Sequence, residues 1–136
     1  CNIVIPVDFD VSVSFGGSGS SKNCGEINDK DIILDIGPKS IKIIEDIIDK
    51  SKTVLWNGPA GYFENKNFAN GTNSIAKKIA ENTNKKSLIS IIGGGDTISA
   101  INKIETKLLF SHLSTAGGAF LEFLEGKDLP GLSVLK

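Results

Sequence analysis

The run LISIIGGGDT, Leu88 to Thr97, decides the fold. Leu88 to Ile92 is an apolar stretch of strand length, of the kind buried on both faces of a parallel sheet, and it stops at Gly93-Gly94-Gly95-Asp96. A helix-period segment on Ile98, Ile101 and Ile104 follows. Strand, glycine turn and helix in that order are one step of an α/β alternation, and the pattern recurs on both sides. Upstream, Gly37-Pro38 opens a helix, with Pro in the first turn and a wide apolar stripe on Ile41, Ile44 and Ile48 joined by Ile43 and Ile47. Thr53 to Trp56 reads as a strand entering Asn57-Gly58-Pro59-Ala60-Gly61. The helix from about Thr72 to Thr83 turns Ile75, Ala76, Ile79 and Ala80 inward. Downstream, a strand on His112 to Ser114 feeds Thr115-Ala116-Gly117-Gly118, and a last helix carries Phe120, Leu121, Phe123 and Leu124, with Gly126 as its stop.

The first residues are less regular. Ile3 to Val7 reads as an apolar strand, and Val11 to Phe15 as a second short alternating piece. From Gly16 the chain is soft and rich in Gly and Ser. Residues 1–15 are therefore expected to be strands, 16–36 a loop or β-excursion, and 37–136 an α/β core with a C-terminal tail. The GGSGSS segment lacks both the Lys of a Walker loop and the glycine spacing of a dinucleotide loop, so it reads as a linker. No internal repeat is evident.

Composition bounds the function. At 136 residues and 14.4 kDa the chain fits one domain, and 40% hydrophobic residues suffice for a core without staples. Fifteen basic residues, all Lys, against 16 acids give a net charge of -1, which argues against nucleic acid and anionic membranes as partners. No apolar run is long enough to span a bilayer and no leader pattern is present, so the expectation is a cytoplasmic protein. The absence of Met leads us to expect a fragment. Cys1 and Cys24 read as free thiols and His112 as a structural histidine.

Three successive strands ending in glycine-bearing loops imply one shared rim, the place where open parallel sheets bind ligands. Glycines there let backbone N–H groups approach an anion, and helix N-termini add positive potential. A polyphosphate site is the reading. Asp96 is either an N-cap or a carboxylate for Mg²⁺ bridging phosphates; Thr97 offers a hydroxyl beside it. Glu64, after Tyr62 and Phe63, is either an exposed loop acid or an acceptor for both hydroxyls of a ribose.

These residues carry a resemblance. LDIGPKSI (Leu34 to Ile41), VLWNGPAGYFE (Val54 to Glu64), FANGT (Phe68 to Thr72), IIGGGDT (Ile91 to Thr97) and SHLSTAGGAFLEFLEGKDLPG (Ser111 to Gly131) resemble, colinearly and over nearly the whole chain, the C-terminal nucleotide-binding domain of phosphoglycerate kinase. The resemblance implies a Rossmann-like parallel sheet flanked by helices, the C-terminal part of a two-domain glycolytic kinase. That enzyme moves a phosphoryl group between 1,3-bisphosphoglycerate and Mg-ADP, giving 3-phosphoglycerate and ATP, as a cytoplasmic monomer. It implies that Leu34, Pro59, Ala60 and Tyr62 border base and sugar, Glu64 holds the ribose and Asn57 faces the phosphates. Gly94, Gly95, Asp96 and Thr97 bind phosphates and Mg²⁺, with Asp96 as the metal's carboxylate, while Gly117 and Gly118, with Gly95, serve the transferring phosphoryl. The phosphoglycerate-binding N-terminal domain is expected to be absent from residues 1–136, as is an upstream phosphate-contacting Lys. Family members often have Gly at the place of Ile33 and a third Gly at that of Ala116. A free-standing nucleotide-binding module without catalysis is the alternative. A nicotinamide oxidoreductase is excluded because no GxGxxG follows a strand.

Overall fold

The computed structural model describes residues 1–135. Its strands are β1 (Asp8–Ser12), β2 (Ser20–Asn23), β3 (Ile32–Ile36), β4 (Thr53–Asn57), β5 (Ile89–Gly93) and β6 (His112–Ser114). Its helices are α1 (Pro38–Lys50), α2 (Asn70–Asn84), α3 (Gly95–Asn102), α4 (Gly117–Leu124) and α5 (Pro130–Ser133). No helix is long and apolar enough to cross a membrane among the described residues.

The strands form two three-stranded sheets, an antiparallel β2-β1-β3 and a parallel β4-β5-β6. Register sets the rim of the parallel sheet. Asn57 pairs with Gly93, and Gly93 with Ser114, so the three strands end in one row. Ile36, Ile41, Ile48, Trp56, Ile75, Ala76, Ile79, Leu88 and Ile92 make the main core, which α1 and α2 close.

Several sequence expectations change here. Ile3 to Val7 is not a strand; the ladder starts at Asp8, where β2 and β3 first supply partners, and Ile3, Val4, Ile5 and Val7 are exposed. Pro6 has no N–H to contribute to such a ladder. Val11 belongs to β1, while Val13 and Phe15 lie beyond it. The 16–36 stretch is the β-excursion, holding β2 and β3. The apolar stripe of α1 is narrower than expected: Ile41 and Ile48 are buried and Ile44 packs against the core, but Ile43 and Ile47 are 37% and 42% exposed. One face of a helix can meet only the elements beside it, and α1 meets α2 and β1. Ile104 falls past the end of α3. The inward set of α2 is buried as expected, and Gly126 ends α4 with φ +79°. Cys1 and Cys24 are free and exposed. Lys136, the last residue of the expected tail, lies outside the described residues.

The antiparallel sheet is tied to α1 through a cap supplied from a distance. Gly37, the N-cap of α1, has no side chain, and Asp8 takes its place by accepting from the N–H groups of Lys39 (2.9 Å) and Ser40 (2.8 Å) and from the Ser40 hydroxyl (2.6 Å). The Ser40 hydroxyl oxygen accepts in turn from the N–H groups of Val7 and Asp8. A Cβ at Gly37 would overlap the Asp8 carboxylate, so glycine is required there. Burial alone would raise the Asp8 carboxyl, but the Ser40 hydroxyl and the two backbone donors outweigh it and hold the group below its ordinary value. A carboxyl lowered by folding contributes stability above its unfolded value and loses it as pH falls through the folded one. Asp8→Asn is therefore expected to cost about 1.5–3 kcal/mol at pH 7, the worth of hydrogen bonds to a charged group. That cost should begin to shrink below about pH 4, where the carboxyl of the unfolded chain takes up its proton, and go on shrinking as pH falls towards the lower folded value. Urea unfolding of both proteins at pH 7 and pH 3 measures this, and an equal cost at both would contradict it.

Candidate functional site

The row Asn57, Gly93 and Ser114 opens onto three loops that crowd around one amide side chain. A Cβ on Gly93, Gly94 or Gly117 would lie 3.0, 2.9 or 3.1 Å from Asn57 Oδ1, and that on Gly117 also 2.9 Å from Gly94 Cα. These contacts are closer than ordinary side chains tolerate. Gly94 has φ +94° and donates its N–H to the carbonyl of Ser114 (3.0 Å), which joins the loop after β5 to the end of β6. At Gly95 and Gly118 the space on the Cβ side is open. Since α3 begins at Gly95 and α4 at Gly117, two helix N-termini start beside Asn57, with first-turn N–H groups directed out of the helix; that of Gly117 donates to the Thr115 carbonyl (3.1 Å). Donor-rich geometry of this kind suits an anion.

Asp96 is exposed and is the second residue of α3, so it is not the N-cap, a place held by Gly94. It makes no ion pair among the described residues. Thr97 is fully buried, and its hydroxyl oxygen accepts the N–H of Gly58 (2.8 Å). That hydroxyl therefore pins the loop after β4, where φ is +107° at Gly58, onto α3. Thr72 does the same from α2, accepting the N–H of Ala60 (3.0 Å).

Beside the rim lies an apolar hollow of about 490 Å³. It brings together Leu34, Pro59, Ala60 and Tyr62 with Ile33 and Phe15. The Tyr62 N–H donates to the Leu34 carbonyl (2.7 Å), and Phe15 and Tyr62 meet edge to face at 5.6 Å. Ile33 is 52% exposed on the wall. Glu64 stands apart from both groups. It is exposed on the rim of a separate recess lined by Phe63, Lys66, Lys77 and Lys103, where the Lys103 ammonium lies 4.7 Å from the Phe63 ring centre.

Two features escaped the sequence reading. Phe15 reaches the hollow from beyond β1, and nothing in its local pattern shows that. Asp35 also lines the hollow, yet it is only 1% exposed. Its carboxylate accepts from the N–H groups of Ile36 and Gly71, both at 2.8 Å. Burial, opposed by those bonds and assisted by the nearby Asp10 charge, pushes its pKa up to about 6. The signal available was an acid inside the apolar run Ile32 to Ile36, although Ile33 on the same face of that strand is exposed and only the fold shows that Asp35 is not.

The family model described as phosphoglycerate kinase matches residues 1–127. The chain is 47% identical over 137 aligned positions to a phosphoglycerate kinase of Francisella philomiragia, covering 99% of this chain and 34% of that one. It is 46% identical over 138 to that of Bradyrhizobium diazoefficiens, covering 100% and 35%. The phosphoglycerate kinase structure from Coxiella burnetii superimposes with a TM-score of 0.86 at 38% identity, over 97% of this chain and 33% of that chain. The structure from Pyrococcus horikoshii gives 0.80 at 34%, over 96% and 31%. The chain thus spans about a third of the length of the curated relatives it matches. The parallel three-stranded sheet with its flanking helices is the architecture shared with those structures, and the chain belongs to the phosphoglycerate kinase family.

Proposed function

We propose that this chain is the C-terminal nucleotide-binding part of a phosphoglycerate kinase, an enzyme of glycolysis that reversibly transfers a phosphoryl group between 1,3-bisphosphoglycerate and Mg-ADP. The observation that carries this reading is the meeting of three strand-end loops around Asn57, next to an apolar hollow of a size for a nucleobase. In this reading Leu34, Pro59, Ala60 and Tyr62 take the base, and Glu64, on the rim of its separate recess, takes the ribose hydroxyls. Asn57, Gly94 and Gly95 face the phosphates. The N–H groups of Gly117 and Gly118 serve the phosphoryl in transit.

Phosphoryl transfer leaves little covalent work to side chains and depends on alignment and on stabilising the equatorial oxygens. Backbone donors held by close contact suit that task, because they need no reorganisation as charge shifts. Among the described residues no three His, Cys, Asp or Glu side chains cluster as a metal site. A single exposed carboxylate, Asp96, fits a magnesium ion that arrives with the nucleotide, since Mg²⁺ keeps most of its waters and shares phosphate oxygens. Thr97 contributes by fixing the Gly58 loop against α3. In this reading the phosphoglycerate substrate is held elsewhere in the full-length, cytoplasmic, monomeric enzyme.

Asp96→Asn in the full-length enzyme is expected to lower kcat at saturating Mg-ATP by about tenfold or more, equal to ~1.4 kcal/mol of transition-state stabilisation, with the fold intact. Activity within about a factor of two of the parent would contradict the metal assignment.

Glu64→Ala should weaken ADP and ATP by about 1.5–3 kcal/mol while leaving phosphoglycerate affinity unchanged. In the parent, 3′-deoxy nucleotides should bind more weakly than the natural ones, and in the variant that difference should vanish. An equal difference in both would leave Glu64 as a loop acid in its own recess.

The 136-residue chain alone should bind Mg-ADP by calorimetry and yet show no turnover in a coupled assay with Mg-ATP and 3-phosphoglycerate. Aligning two phosphorylated reactants in a closed cleft supplies on the order of 7–11 kcal/mol of barrier lowering, which one half of the site cannot provide. Turnover near that of a complete kinase would refute the reading.

A further inference from the structure

Asp35 is a buried acid that the proposed reaction does not use. Among the described residues it makes no ion pair, and its carboxylate accepts from the N–H groups of Ile36 on its own strand and Gly71 in the first turn of α2. Its neighbours are shaped around it. A Cβ at Gly61 or at Gly71 would overlap the Asp35 carboxylate, so both segments carry glycine where they pass it. One residue before it, the Leu34 carbonyl accepts the N–H of Tyr62, and Asp35 itself lines the apolar hollow. Three pieces of chain meet on this one side chain: β3, the Pro59–Tyr62 segment, and the start of α2.

We propose that the Asp35 carboxylate is a positioning residue of the nucleotide site, holding these three segments together as the wall on which a purine base rests. The inference builds on the nucleotide reading above. Ionised Asp35 has acceptor capacity for several backbone donors at once, whereas protonation spends part of it and adds a buried O–H that needs an acceptor. The ionised form is therefore the holding form. Because the group titrates near pH 6 in the folded chain, base affinity should fall as the pH drops through that region. From β1, Asp10 faces it as the cross-strand partner, and that carboxylate also accepts from the Ser21 hydroxyl. In the Pro59–Tyr62 segment the one titratable side chain is Tyr62, and the first turn of α2, Asn70 to Asn73, carries none.

The test is calorimetric titration of this chain with adenosine between pH 5 and pH 8. Adenosine probes the hollow without phosphates that would themselves titrate. The parent should bind about three- to tenfold more weakly at pH 5 than at pH 7.5, the fold-change that a hydrogen bond of ordinary net worth represents. Asp35→Asn should bind at the parent's pH 5 level throughout, with no pH dependence. Should circular dichroism show Asp35→Asn to be unfolded, Asp10→Asn takes its place. That variant removes the like charge beside Asp35, and it should keep the parent's affinity at pH 7.5 while its fall moves to lower pH. A parent that binds adenosine at no pH overturns the nucleotide reading together with this one. Binding that is independent of pH in the parent, or a pH profile unmoved in the folded variant, overturns the positioning role alone.

Discussion

Around the Asn57 amide, the loops after β5 and β6 come closer than ordinary side chains tolerate. Gly93, Gly94 and Gly117 each lie where one added carbon would meet Asn57 or its neighbours at about 3 Å. This contact is possible only if β4, β5 and β6 run parallel and end level, as their register shows. It also determines where α3 and α4 begin, and so where their first-turn N–H groups accumulate. The rest of the site is arranged from that point outward.

Several buried polar side chains serve to hold this arrangement. Thr97 and Thr72 secure the loop after β4 to α3 and α2, while Asp8 and Ser40 join the antiparallel sheet to α1. Each satisfies backbone donors that loops or helix starts would otherwise bury unpaired, a cost of about 1–3 kcal/mol per group. No buried side-chain N or O among the described residues lacks a hydrogen-bond partner. A loop held at both ends in this way presents fixed dipoles, and fixed dipoles are what phosphoryl transfer draws on. Thr97 illustrates the division of labour: it lies next to the exposed Asp96, yet its oxygen faces inward to Gly58.

The parts misread from sequence share a physical cause. A helical stripe shows which residues could be buried, and neighbours decide which are; hence Ile41 and Ile48 face the core while Ile43 and Ile47 do not. Ile3 to Val7 has the composition of a strand, but a strand exists only where another supplies its ladder, and that begins at Asp8.

By itself the sequence determined the α/β alternation, the glycine turns at strand ends, the inward face of α2 and the stop of α4 at Gly126. All of these are local: periodicity, backbone freedom and the lack of a Cβ act over a few residues and can be read in order along the chain. Its motifs also carried the family resemblance. Only the tertiary structure decided that Asp8 caps a helix some 30 residues away, that Phe15 closes onto Tyr62, and that Asp35 lies buried against Gly61 and Gly71. Those contacts join segments far apart in sequence, and whether a polar group is buried with a partner depends on everything that folds around it.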